Sequence, residues 1–312
     1  MARETATRRP AGPLPPAATA RAALSILLRR HPLAALALAF LVASVFISVL
    51  APALAPFDPL EHDLGRRLMA PNGEHLMGTD GFGRDVLSRV MHGARASLFV
   101  AFVGVAAAAG VGTLVGVATG FVGGRLDLAV GRLTDTLLAF PALVLALVLV
   151  AAFGPSRTLV AVAVAMALTP QLVRIARARC LELLERDHLL AARALGADDR
   201  RILVRHLLPN VLPTVIVLAT GYVGNALVLE AALSYLGLGL PPPAPAWGRM
   251  IFEGAHLYLE TAPWLTVFPG LALASVVLAS TVLGDGLRDA LDPHLRHGVR
   301  GPAVGGVRRP KA

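Results

Sequence analysis

Lysine is nearly missing from this chain: of 29 basic residues only Lys311 is a lysine, and it lies beside the C-terminus. A phosphate-cradling P-loop needs a lysine inside a Gly-rich turn, so this chain cannot bind ATP in that way. Cysteine is as scarce. With Cys180 alone there is neither an internal disulfide nor a Cys-based zinc site, and its thiol reads as inert. No His-Glu-x-x-His motif occurs, and the nine histidines show no ligand spacing. Charge is also low, at 16% of residues, against about 25% in a soluble domain.

What fills the chain instead is apolar. Hydrophobic residues make up 55%, and the mean hydropathy is +0.66. Uncharged runs cover 32–57, 96–124, 136–156, 158–173, 207–229 and 261–284. A helix needs roughly 20 apolar residues to cross about 30 Å of hydrocarbon. Five runs meet that length. The fourth is short, and Arg174 at its end would have to snorkel to the interface. The expectation is an all-α polytopic membrane protein with six transmembrane helices.

The formal charge of +9 would suggest nucleic acid in a soluble protein. Here the arginines gather at helix ends, which is a topology signal. With the N-terminus inside, only Arg66, Arg67, Arg84, Arg89, Arg95, Arg157 and Arg249 face outward. The other basic residues fall inside, which favours cytoplasmic N- and C-termini. The first apolar run exceeds the 7–15 residues of a signal-peptide core, and Pro56 follows the small-x-small site Ala53-Leu54-Ala55. It reads as a retained anchor. Residues 1–31 and 297–312 read as disordered cytoplasmic tails. Residues 32–95 hold the first span and an external segment, and 96–296 the remaining core.

Along the chain, Gly112, Gly116, Gly120 and Gly124 recur every four residues and line one helix face, where another backbone can approach closely. Ordinary helix packing explains them most simply; a subunit interface is the alternative. Pro141, Pro170 and Pro269 sit inside apparent spans and can kink them. Trp247 and Trp264 lie where interface aromatics belong. No internal repeat is visible, which weighs against an inverted-repeat secondary transporter.

The stretch between spans four and five, about 174–209, carries the most information. Leu181, Leu184, Leu189, Ala192 and Leu195 form a helical stripe. Gly196 then stops the helix, and Asp198 can cap a second one over Asp199–His206. Helix, glycine turn and helix, tied to spans at both ends, could transmit a push from a cytoplasmic partner. On the residues alone, a solvated basic loop is an equal alternative.

Asp187–Asn210, DHLLAARALGADDRRILVRHLLPN, resembles the EAA loop of ABC importer permeases, with Ala191, Ala192, Gly196, Leu208 and Pro209 matching. Gly78–Leu98, Glu230–Met250 and Leu283–Arg296 resemble further segments of the dipeptide, oligopeptide and nickel branch. Four motifs in order imply the type I, binding-protein-dependent permease fold, and the second permease subunit, the one with a short C-terminal tail. The resemblance implies half of a heterodimeric pore in a bacterial plasma (inner) membrane. Its implied partners are a second permease, two cytoplasmic ATPases that use ATP and magnesium, an extracytoplasmic substrate-binding protein and the lipid bilayer. No cofactor is implied for this chain itself, and no nucleic acid. The implied cargo is a di- or oligopeptide, with nickel or another small solute as the alternative. One departure stands out: Leu190 occupies the place of the usual Glu, which could have closed a capping box with Asp187 or met polar groups on the ATPase.

The expected coupling residues are therefore Asp187, Ala191, Ala192, Gly196, Leu208 and Pro209. Asn225 and Glu230 are candidates for the translocation path, since ionisable groups in spans usually face a cavity or bundle interior; a packing contact is the plainer reading of Glu230. Arg84, Asp85 and Arg95 are candidates for external partner contacts, with local ion pairing as the alternative. Asp285, Asp289 and Asp292 read as a helix-end salt-bridge cluster with Arg288 and Arg296. An ion-coupled transporter would need charged relays inside several spans, and a membrane enzyme a catalytic constellation at depth; the sequence offers neither.

Overall fold

The computed structural model describes residues 31–291, and no strand occurs among them. Residues 1–30 and 292–312, hence both expected tails except His31, and with them Asp292 and Arg296, lie outside the described residues. Nine helices follow in chain order among the described residues. They are α1 (Pro32–Leu54), α2 (Val86–Val122), α3 (Gly124–Leu138), α4 (Ala142–Phe153), α5 (Arg157–Leu184), α6 (Asp187–Ala194), α7 (Asp199–Tyr235), α8 (Trp247–Leu257) and α9 (Trp264–Leu291).

Five of them, α1, α2, α5, α7 and α9, are long and apolar enough to cross a membrane. The third expected span is not one straight helix. Its run starts in α3, breaks at Ala139–Pro141 and resumes as α4, bent by 90°. Pro141 adopts extended backbone (φ −57°, ψ 134°) and starts α4; it has no amide to continue the α3 ladder, and its ring disfavours helix at the residue before it. The pair makes a sixth span only if counted as one broken crossing. The expected cytoplasmic loop 124–135 is thus a helix, with only Thr134 buried. Arg174 and Arg177 of α5 pair with its Asp135 and Asp127. The fourth span is not short either. α5 runs 28 residues, well past Arg174, whose guanidinium meets Asp135 at 2.5 Å.

Two spans overhang the bilayer. At 1.5 Å per residue, the 37 residues of α2 and of α7 each reach about 55 Å. α2 begins at Val86, so the division expected at 95 falls inside it. The expected second cytoplasmic helix does not end at His206: it is the first part of α7.

α2 packs chiefly on α5, α7 on α9 and α2, and α1 on α9 and α2. Apolar side chains gain nothing by leaving lipid for a neighbouring helix, so close backbone approach has to hold such a bundle together. The glycine row supplies it. A Cβ on Gly112 would lie 2.7 Å from Leu172 Cβ, and one on Gly116 would lie 2.5 Å from the Val173 carbonyl oxygen. Gly120 faces Cys180, whose Sγ is 3.6 Å from the Val117 oxygen. Gly104 extends the row outward against Val164. Gly124 is not part of it: it opens α3 at φ +59° with open space around it. The row therefore serves packing within the chain.

Candidate functional site

The expected lever between spans is present in most of its parts. α6 starts after Arg186 and places only Leu189 in the core, at 1% exposure. The expected stripe is split: Leu189 and Ala192 turn inward, while Leu195 stands out at 89% exposure. The helix ends in a Schellman turn. Ala197 N donates to Ala192 O at 3.0 Å and Gly196 N to Arg193 O at 2.9 Å, with Gly196 at φ +83°, a conformation glycine adopts without strain. Asp198 then accepts from Arg201 N at 3.2 Å and caps the start of α7.

From there the chain enters a π-helical stretch, Ile202–Leu207, before settling into regular α-helix at Leu208. Leu208 N reaches back to Leu203 O, and the next residue, Pro209, has no amide to give. The Asn210 side chain donates to His206 O at 2.6 Å, satisfying one carbonyl of that irregular turn. Ile202 and Leu207 are fully buried and anchor the stretch. Asp187, Ala191, Gly196 and Pro209 are exposed, and Ala192 and Leu208 half-buried. The six expected coupling residues thus lie along α6, its glycine turn and the irregular first part of α7.

Leu190 is 52% exposed. Asp187 is the first residue of α6 and Arg186 holds the cap position. A glutamate at 190 would sit one place too far along for a capping box with Asp187, so that expectation falls. Contact with a partner remains the role such a side chain could have.

On the outer side, Arg84 and Asp85 are buried and engaged within the chain. Asp85 caps α2: its Oδ2 accepts from Ser88 N and Ser88 Oγ, both at 2.8 Å, while Oδ1 lies 3.0 Å from His75 Nδ1. Asp80 Oδ1 accepts from Phe82 N at 2.8 Å and Arg84 N at 3.0 Å; Oδ2 accepts from Arg84 Nε at 2.7 Å and faces Arg89 at 3.4 Å. Gly83, at φ +76°, allows the loop to close: a Cβ there would lie 1.7 Å from Asp63 O. Arg84 and Asp85 spend their contacts inside the chain; Arg95 alone of the three is exposed.

Glu230 is buried within the chain, and its Oε2 has no hydrogen-bond partner among the described residues. It is 0% exposed, and its Oε1 accepts from Ser234 Oγ at 2.8 Å. Asn225 faces outward from the same helix. Trp247 is no interface anchor but a buried staple, its Nε1 donating to Val90 O at 2.9 Å. Trp264 Nε1 donates to Thr79 O at 3.2 Å. Among the described residues no ion pair joins Asp285 or Asp289 to Arg288; all three are exposed on the last turns of α9. Sequence reasoning missed the buried Arg89 and its neighbour across the cavity, Arg249. The signal available was their position in the two outer segments matching the importer branch.

The described residues form a helical bundle with five helices long and apolar enough to cross a membrane and a short helix–turn segment between two of them. Comparison with known proteins agrees. Residues 112–297 match the family described as "binding-protein-dependent transport system inner membrane component". Residues 26–71 match the N-terminal TM domain of oligopeptide transport permease C. The dipeptide transport system permease protein DppC of Alkalihalophilus pseudofirmus is 39% identical over 86% of this chain and 88% of its own length. DppC of Haemophilus influenzae is 40% identical over 84% and 91%, and the di/tripeptide permease DppC of Pseudomonas aeruginosa 40% over 83% and 88%. The chain belongs to the binding-protein-dependent transport permease family. It is a multi-pass membrane permease of the ABC importer type, and not an enzyme.

Proposed function

We propose that this chain is one half of a heterodimeric pore that imports short peptides across a bacterial inner membrane, with both termini cytoplasmic. The observation that carries the reading is the lever: a short helix held by one buried leucine, ending in a glycine turn and feeding directly into a long span. A sister permease completes the pore, and an external binding protein delivers the cargo. Two ATPase subunits supply the ATP and magnesium chemistry, in keeping with the missing P-loop lysine of this chain. The names of its relatives, dipeptide and di/tripeptide permeases, favour small peptides over nickel. The inside excess of arginine supports the orientation. Asn225, polar and outward-facing within an apolar helix, faces the pore or the sister subunit, since lipid would leave its amide unsatisfied. Arg95, exposed on the outer part of α2, is placed to meet the binding protein.

The pore has two packings within a few kcal/mol of each other, so that differential binding of the ATPases can shift their balance. The test is a Gly196→Cys variant, crosslinked in membranes expressing the whole transporter. Capture of the ATPase subunit in an ATP-dependent yield is the expected result. Capture of no ATPase, or peptide uptake by the permease pair alone, would overturn the reading.

Leu190 still leaves the lever able to dock, because the apolar contacts around it remain. Leu190→Glu is expected to raise ATP-driven uptake by a factor of about two to five, the effect of one added surface hydrogen bond or ion pair. A fall in uptake would count against the docking geometry.

A further inference from the structure

Between the outer segment and α8 lies a cavity of about 490 Å³, within the usual range for small-molecule sites. Its wall carries Asp80, Arg84, Arg89, Arg249 and Glu253. Three guanidinium groups against two carboxylates leave one positive charge over. The shortage is sharpest at Arg89, which is 3% exposed. Its Nη1 donates to Pro59 O at 3.2 Å, and it shares Asp80 with Arg84, which holds that carboxylate more closely. Arg249 uses its Nε on Glu253 at 2.7 Å, leaving the outer fork of its guanidinium for another acceptor. The rest of the wall is largely apolar, including Phe82, Met250, Leu257 and Leu265. A buried cation that the protein matches only in part has room for a further anionic partner from outside.

We propose that this cavity is an outer holding site for the cargo, where Arg89 and Arg249 receive the terminal carboxylate of a short peptide. The proposal rests on the peptide-permease reading above and adds the group that is recognised. Guanidinium binds carboxylate through paired, charge-assisted hydrogen bonds, and the apolar wall accepts side chains without selecting among them. The volume suits a small free solute. An acidic side chain from a neighbouring protein would have to thread into the recess to reach Arg89.

The test uses the complete transporter in proteoliposomes, with dialanine and dialanine amide as probes. The binding protein's own preference is measured separately and divided out. Wild type is expected to favour the acid over the amide by about tenfold beyond that preference, the worth of a charge-assisted bond pair. Arg249→Gln, on an outer helix, should bring the ratio close to one, and Arg249→Lys should restore part of it. Arg67→Gln, exposed and outside the cavity, should keep the wild-type ratio. If wild type carries dialanine but Arg249→Gln lowers acid and amide equally, or weakens docking of the binding protein, the cavity assignment fails while the permease reading stands. If wild type carries neither probe, the peptide reading itself fails, and the assignment with it.

Discussion

Gly116→Val should yield almost no assembled transporter. The Cβ alone would lie 2.5 Å from the Val173 oxygen, 2.8 Å from Ala176 Cβ and 2.9 Å from Arg177 N. Two of these three atoms belong to the backbone of α5, so no rotamer change relieves the clash; α2 and α5 must separate along their length. Overpacking of a tight core costs about 1–3 kcal/mol even where side chains can yield, and here the contact is the main helix pairing of the subunit. Because a whole domain is stable by only about 5–15 kcal/mol, the loss is a large share. Detergent-extracted protein from this variant should elute aggregated, or melt many degrees below wild type. Gly131→Ala provides the contrast, since nothing lies within 4 Å of its added Cβ and alanine favours helix by up to about 1 kcal/mol. A Gly116→Val protein with the wild-type elution profile and melting curve would refute the tight α2–α5 contact.

The second large effect is expected at Leu195. At 89% exposure its side chain does almost nothing for the fold of this chain, yet it projects beside the glycine turn of the lever. Burying a leucine is worth about 1.5–3 kcal/mol, and each 1.4 kcal/mol is a factor of ten in affinity. Leu195→Asp replaces that gain with the cost of a desolvated charge. ATP-driven uptake should fall by about tenfold to a hundredfold, while the variant folds and reaches the membrane as wild type does. The ATPase activity of the complex should lose its dependence on cargo. Uptake at the wild-type rate would show that the partner does not cover this side chain.

Much of this architecture is legible in the residues, and the failures have physical causes. Apolar runs locate the long helices because lipid leaves a backbone no other way to satisfy its polar groups. Gly196 and Asp198 announce their turn and cap because the geometry is local. The four-residue glycine spacing announces a contact, though not its partner, and it runs on to Gly124, which opens the next helix instead. Helix starts are a different matter. Arg89 and Arg95 interrupt the apolar pattern, so the uncharged run begins at 96, while the helix, capped by Asp85, begins ten residues earlier at Val86. Charge in a window says nothing about what meets it in the fold, and Arg89 has a share of Asp80 and one carbonyl. The surroundings of Glu230 are hidden in the same manner: its burial and the Ser234 hydroxyl one turn further on, which meets only one of its two oxygens, belong to the folded chain. Trp247 reads as an anchor at the lipid boundary because nothing in the sequence reveals that α8 folds back over α2. At the coupling turn, the resemblance supplied the residues to watch, and the exposure of Leu195 and the continuity of α7 came only from the folded chain.

That continuity has a mechanical outcome. The inner end of α7 begins at the docking turn, and its outer end is gripped: a Cβ on Gly248 would meet Ala231 Cα at 2.6 Å, and Gly248 belongs to the helix that carries Arg249. In the proposed coupling, a tilt applied at α6 would travel along α7 to α8, and the π turn of 202–207 is the one irregular joint on that route. A stroke at α6 would therefore have to exceed what that joint can absorb before it moved the far end of the helix.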